Sequence, residues 1–299
     1  MLDFFRRIVT SLGGKSQDRA NTAPLSEKQI ESIVQQQEAG FEVQQLVAAA
    51  GQSVGKQRDH NEDSVLAITA TLAGLASNVP FGLYVVADGM GGHQYGEVAS
   101  NAAVRIIAGQ VLRKLHSYLF AMPTQQPDDS LQEIMEGAIR DAHSAVQREA
   151  PGSGTTVTAA LVLGQQITLG HVGDSRAYSV HPTGRVEQLT QDHSLVKRLE
   201  DLGHLNKEEA ASYPHRNVLI RAVGQGEEIE ADIFTVPFPH GASLLLCTDG
   251  LWGVVPEEAI RRSVLDAPNL HRACSNLVTA ANAAGGPDNI SVILVQMVG

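Results

Sequence analysis

Cysteine is scarce in this chain of 299 residues: only Cys247 and Cys274 are present. Cys247 lies inside an apolar run and Cys274 within a helical pattern, so both are expected as buried thiols rather than a disulfide, and the cytoplasm as the compartment. No apolar stretch reaches the ~18 residues a spanning helix needs. The start, Met1-Leu-Asp-Phe-Phe-Arg-Arg-Ile-Val, lacks the long apolar segment and small-residue cleavage site of a secretory signal. It is expected as a loose tail, the alternative being a short surface anchor with Phe4, Phe5, Ile8 and Val9 opposed by Arg6 and Arg7. Positive charge is also in short supply. Lys and Arg number 22 against 33 Asp and Glu, a net charge of -11, which argues against a nucleic-acid partner. No Cys/His cluster has zinc-ligand spacing. No repeat of about 20–50 residues signals a solenoid.

What is present is a core-forming chain, 43% hydrophobic, which excludes wholesale disorder. Residues 1–44 read as an extension or linker, polar from about residue 10, with one short helix expected from Ser26, where Ile30, Ile33 and Val34 share a face. From Val43 the apolar runs become dense. Strand-like runs lie near 44–49, 64–69, 81–87, 155–163, 166–172, 175–181, 231–236, 243–248 and 290–297. Helical spacing marks 97–119 (Val104, Ile107, Val111, Leu115) and 131–149 (Leu131, Ile134, Met135, Ala138), with further helices expected at about 256–265 and 269–284. Helices early, strands in the middle and helices late predict an α+β fold rather than βαβ alternation.

Five acidic residues stand where apolar runs stop: Asp63, Asp88, Asp174, Asp249 and Asp288. Any one Asp-Gly is more readily a turn or cap, but five strand-end acids on one rim share a single explanation. Like charges crowded in low dielectric raise one another's pKa unless a cation compensates. With oxygen donors only, a backbone carbonyl at Gly89 included, the cation predicted is hard, Mg²⁺ or Mn²⁺. Two such ions ~3.5–4 Å apart activate a water for attack on phosphorus. Arg58, five residues before Asp63, carries a planar guanidinium suited to two phosphate oxygens.

The set Arg58-x-x-Asn61-Glu62-Asp63, Val85-Val-Ala-Asp88-Gly89-Met-Gly-Gly92, Ser153-Gly-Thr-Thr156, Gly173-Asp174-Ser-Arg176, Thr248-Asp249-Gly250-Leu-Trp252 and Asp288-Asn289 resembles the PPM (PP2C-type) serine/threonine protein phosphatases, most closely their bacterial branch. The resemblance covers roughly 45–299 in family order. It implies a four-layer α-β-β-α sandwich, two central antiparallel sheets flanked by helices, with a small helical flap at about 193–222. It also implies hydrolysis of phosphoserine and phosphothreonine, with phosphotyrosine as an in vitro substrate, by a water activated between two metal ions. By the same resemblance Asp63, Asp88, Asp249 and Asp288 correspond to ligands of the binuclear pair, Gly89 adding its carbonyl oxygen. Asp174 and Asp249 correspond to a third, weaker ion site, Glu62 to a group holding a metal-bound water, Arg58 to the phosphate-binding arginine, and Asn289 to a support that orients a loop or a water. Eukaryotic members carry a histidine where this chain has Met90. The proton donor to the leaving oxygen is then expected to be a water on the third ion, with His93 the alternative.

The resemblance further implies phosphorylated proteins and a cognate Ser/Thr kinase as partners, and a monomer is expected. Leu195, Val196, Leu199 and Leu202 predict a flap helix ended by Gly203, and a second is expected from Lys207; the flap is expected to influence substrate choice. A dinucleotide-binding fold is the first rival, but Gly-x-Gly-x-x-Gly starting at Gly89 would need glycine at Gln94. A non-catalytic binding module is a second, opposed by the intact acidic set and Arg58. A nuclease is a third, opposed by the acidic charge.

Overall fold

Alternation along the strands decides the layering. Leu83, Val85 and Ala87 face one way and Tyr84 and Val86 the other, yet all five are fully buried, so this strand must be covered on both faces. The structure, a computed structural model, describes residues 43–73, 78–91, 94–121, 127–206, 209–210, 213–214 and 217–299. The predicted extension up to residue 42, with its anchor and its helix from Ser26, lies outside the described residues, as does His93.

In chain order the elements are β1 (Gln45–Ser53), β2 (Asp63–Ala73), β3 (Asn78–Met90), α1 (Gln94–Phe120), α2 (Leu131–Glu149), β4 (Gly154–Thr155), β5 (Val157–Leu163), β6 (Gln166–Val172), β7 (Arg176–Val180) and β8 (Val186–Gln188). They are followed by α3 (Leu195–Asp201), β9 (Asp232–Pro237), β10 (Ser243–Cys247), α4 (Asp249–Trp252), α5 (Glu257–Leu265), α6 (Leu270–Ala283) and β11 (Ile290–Val298). One sheet has the order β1-β11-β10-β7-β8 and the other β2-β3-β5-β6-β9, with β4 paired to β3. Every pairing among them is antiparallel.

Three apolar clusters separate four layers. Between the sheets, Tyr84, Val86, Val162 and Leu169 meet Leu244, Leu246, Ile293 and Val295. Outside the second sheet, Leu83 and Val85 pack against Ile107, Val111 and Leu115 of α1 and Met135 and Ile139 of α2. Outside the first, Leu245, Val292 and Leu294 pack against Ile260 and Val264 of α5 and Ala273, Cys274 and Leu277 of α6. Each fully buried Leu or Ile contributes about 1.5–3 kcal/mol relative to exposure. The predicted α-β-β-α sandwich is the observed fold, and both cysteines are buried free thiols.

Local sequence explains most helix ends. Ser130 and Glu133 form a reciprocal capping box at the start of α2, and Asn269 caps α6. Helix α3 ends as predicted: Gly203 takes φ 73°, and His204 N–H donates to Leu199 O at 2.9 Å. Other limits moved. Strand β1 runs on to Ser53 through an Ala-Ala-Ala-Gly stretch of weak strand preference, because β11 pairs with it residue by residue from Gln45↔Val298 to Ser53↔Ile290. Strand β8, three residues long, and α4, four residues long, carry too little pattern to be predicted. Of the flap's second helix only Glu209 and Ala210 are described, and both are helical.

Candidate active site

The strand ends gather the acids. Asp63 opens β2 and is the cross-strand partner of Asp88 near the end of β3. Asp249 opens α4 directly after β10, Asp288-Asn289 leads into β11, and Asp174 sits in the turn between β6 and β7. Arg58, Glu62, Asp88, Gly89, Met90, Asp174, Asp249, Asp288 and Asn289 all line one cleft of about 460 Å³. Asp63 is buried, 6% exposed, and acts on this group from within, since its charge and those of Asp88, Asp249 and Asp288 repel one another.

A scaffold of neutral hydrogen bonds fixes this floor. Asn289 Oδ1 accepts from Glu62 N–H at 2.8 Å, while its Nδ2 donates to Val54 O at 2.8 Å and His60 O at 2.9 Å. One buried amide thus holds the loop that carries Arg58 and Glu62. The Asp88 N–H donates to Thr156 Oγ1 at 2.9 Å, and Thr155 Oγ1 donates to Asp88 O at 2.9 Å. Gly250 is required by close approach: a Cβ there would fall 1.9 Å from Asn289 O. Arg58 reaches across the cleft, donating to Asp288 Oδ2 at 2.8 Å.

Sequence reasoning gave Thr248 no role of its own, although it opens the Thr248-Asp249-Gly250 motif. It stands at the N-cap of α4 but makes no side-chain cap. Its hydroxyl instead donates to Asp63 Oδ2 at 2.9 Å and accepts from Ser291 N–H at 3.0 Å, joining the two sheets beneath the acids. His60 was also passed over. It lines the same cleft, 3.4 Å from Glu62 Oε1.

Electrostatics here run against ionisation. Burial, with repulsion from Asp249 and Asp288, lifts Asp63 to about 7 even though the Ser291 and Thr248 hydroxyls pull it down. Burial first, then Asp63, Asp249, Asp174 and Asp288, holds Asp88 well above the usual carboxylate range. Asp174 is raised likewise, by burial and then by Asp249 and Asp192, with Arg176 opposing. Asp63 Oδ1 is buried with no hydrogen-bond partner among the described residues. Buried acceptors of this kind fit a divalent cation. Among the described residues, no three His, Cys, Asp or Glu side chains close on a single point. A hard cation such as Mg²⁺ typically takes one or two carboxylates and keeps other positions for water and substrate phosphate.

The flap is rooted beside Asp174. His193 N–H donates to Gly173 O at 2.7 Å, and Gly173 N–H donates back to His193 Nδ1 at 3.2 Å. Because Nδ1 accepts, the ring proton is on Nε2, which faces Asp232 Oδ2 at 3.2 Å. Burial depresses His193, partly offset by Asp232, and burial pushes His171 beneath it down to about 3. On the other side, Arg176 grips Asp192 through two bonds of 2.8 and 2.7 Å and lies 3.6 Å over the Trp252 ring. Trp252 Nε1 donates to Asp174 O at 3.0 Å.

An antiparallel two-sheet sandwich with buried carboxylates on one rim, and an arginine across from them, is the framework of a phosphate-ester hydrolase rather than of a dinucleotide-binding protein. The sequence profile of the protein phosphatase 2C family matches residues 50–284. The serine/threonine phosphatase stp of Listeria monocytogenes is 36% identical over 244 residues, 81% of this chain and 92% of its own length. The crystal structure of the serine/threonine phosphatase PstP/Ppp of Mycobacterium tuberculosis superposes with a TM-score of 0.68 at 33% identity, covering 84% of this chain and 98% of that one. A structure of the PstP catalytic domain in complex with two manganese ions gives a TM-score of 0.68 at 32% identity, over 85% of this chain and 99% of that one. The chain belongs to the protein phosphatase 2C family and is an enzyme, a protein phosphatase of the serine/threonine type.

Proposed function

We propose that the protein removes phosphate from phosphoserine and phosphothreonine in proteins, in opposition to a Ser/Thr kinase, using two Mg²⁺ or Mn²⁺ ions. Asp63, Asp88, Asp249 and Asp288 would hold the pair with the Gly89 carbonyl, and Asp174 with Asp249 a third, weaker ion. Bound there, such ions supply a water nucleophile at neutral pH and neutralise charge on the phosphoryl oxygens. The observation that carries this reading is the meeting of Asp88, Asp174, Asp249 and Asp288 with Arg58 in one cleft. The PstP structure with two manganese ions supports the choice of metal.

The chain's own groups have separable tasks. Arg58 turns toward Asp288 and binds two phosphate oxygens through the parallel N–H donors on one edge of its planar guanidinium. Glu62 is held at its backbone by Asn289 and orients water at the floor. Met90 carries no proton, and His60 is the histidine that lines the cleft among the described residues. Its position on the cleft supports a role in protonating the departing serine or threonine oxygen, beside the ion-bound water expected from the resemblance. The two buried thiols suit a reducing cytoplasm as the site of action.

Phosphate release from p-nitrophenyl phosphate and from a phosphothreonine peptide, measured with Mn²⁺ and then with EDTA, tests this directly. Turnover of both substrates that EDTA abolishes and Mn²⁺ restores is expected. Release indifferent to the chelator, or none at all, overturns the reading.

A further inference from the structure

A second cleft of about 610 Å³ adjoins the first, and Arg58, Asn217, Asp249 and Asp288 line both. Its far walls come from two places: Val196, Lys197 and Glu200 of α3 in the flap, and Trp252, Val254 and Pro287 at the edge of the sandwich. Asp249 belongs to the acidic rim; the other charged side chains along the cleft are held in ion pairs. Arg58 bonds Asp288, Arg176 grips Asp192, and Lys197 meets Glu200 at 3.2 Å and Asp201 at 2.9 Å. An incoming charge would have to break one of these pairs, whereas an uncharged side chain would only displace water from Val196, Trp252, Val254 and Pro287.

We propose that this cleft is a specificity subsite that takes an apolar side chain of the substrate, one to three residues from the phosphorylated one. The claim rests on the phosphatase reading above and adds a sequence preference to it. The occupant is an extended segment of the phosphoprotein, because the two clefts share walls: with the phosphate beside Arg58, the adjoining peptide runs into the second cleft at ~3.3 Å per residue. One wall belongs to the flap, so the subsite also explains how the flap selects substrates: it supplies half of a pocket, with its own charges, Lys197 and Glu200, paired to each other.

The test compares kcat/KM for phosphothreonine peptides carrying Leu, Phe, Gly, Lys or Glu at flanking positions, with p-nitrophenyl phosphate as a substrate that has no flanks. Leu or Phe at one position is expected to exceed Gly about tenfold, the usual worth of filling an apolar pocket, and Lys or Glu to fall below Gly. Val254→Glu and, independently, Val196→Asp are expected to erase that ranking while p-nitrophenyl phosphate turnover stays within about twofold, a sign that the fold and the chemistry are intact. Equal rates for all flanks in the unmodified protein overturn the subsite, as does an unchanged ranking in both variants or loss of p-nitrophenyl phosphate turnover in parallel with peptide turnover. No release from either kind of substrate with Mn²⁺ present sinks the phosphatase reading itself, and the subsite with it.

Discussion

Single atoms in the cleft have consequences that differ in kind. Asp249 is shared by the charge networks of Asp63, Asp88 and Asp174. Asp249→Asn, which keeps the shape and removes the charge, is therefore expected to lower phosphate release at least ~100-fold with little change in fold; near-normal kcat in a steady-state assay would remove Asp249 from the metal centre. His60→Ala should separate substrates. A p-nitrophenolate leaves without a proton, whereas a threonine alkoxide needs one, so the variant should lose ~10²-fold or more on a phosphothreonine peptide and little on p-nitrophenyl phosphate. Equal losses on both would deny His60 the role of acid. Thr248→Val is a stability change. It removes the donor to Asp63 and the acceptor for Ser291 N–H in a fully buried place. A loss of about 1–3 kcal/mol is expected in urea unfolding. The roles of His60 and Thr248 were illegible beforehand, although Thr248 opens a motif and His60 lies between Arg58 and Asn61, because only the folded neighbourhood gives them partners.

Among the elements, the flap shows how a surface insertion is tied to the acidic rim. The backbone and ring of His193 both hold Gly173, the residue before Asp174. In His193→Asn the side-chain oxygen occupies the place of Nδ1 and still accepts from Gly173 N–H; in His193→Gln the acceptor lies where Nε2 was. Limited proteolysis between 194 and 222 is therefore expected to be several-fold faster for the Gln variant than for the Asn variant or the parent, since one lost hydrogen bond is worth ~1 kcal/mol of local opening. Equal susceptibility of the two variants would mean that the Gly173 contact does not anchor the flap. Most elements were legible from period alone: α2 begins and ends where its apolar spacing predicts, and the long runs of β6 and β11 are strands. The exceptions are elements held by pairing partners or by a few contacts, such as the second half of β1, β8 and α4.

For the whole molecule, the raised acids make stability depend on pH and metal together. Asp63 binds its proton up to pH about 7 when folded, against an ordinary 3.8 in the unfolded chain. Between those values the folded state holds more protons at Asp63, a contribution that chelator-treated protein loses as pH rises from about 4 to 7, whereas the depressed His171, His193 and His143 act in the opposite sense below about 6.5. Read as the difference between the parent and Asp63→Asn, the Asp63 contribution is expected to be larger at pH 5 than at pH 7.5 by on the order of 1 kcal/mol or more, which corresponds to ~2–4 °C in Tm. Mn²⁺ should reverse the order, stabilising more at pH 7.5, where it meets carboxylates, than at pH 5, where it competes with protons. A parent-minus-Asp63→Asn difference in Tm, measured in EDTA, that rises from pH 5 to 7.5 would show that the acids are not crowded as the structure places them.

Much of this was determined by the sequence alone. Two-residue and 3.6-residue periods assign strands and helices because burial is local in its pattern, and the strand-end acids declare themselves because five carboxylates at the ends of apolar runs share one explanation where turns and caps would need five. The α+β class and the acidic rim were readable in that way, while the four-layer sandwich and the assigned role of Arg58 came with the family resemblance. Only the tertiary structure decided what depends on chain segments far apart: Thr248 joining the sheets, His60 entering the cleft, and α3 facing Trp252 across a second pocket. Those contacts span 185 residues from Asp63 to Thr248 and 229 from His60 to Asn289. No local periodicity records a partner at that distance, because the free energy that selects it arises only when both sheets are packed.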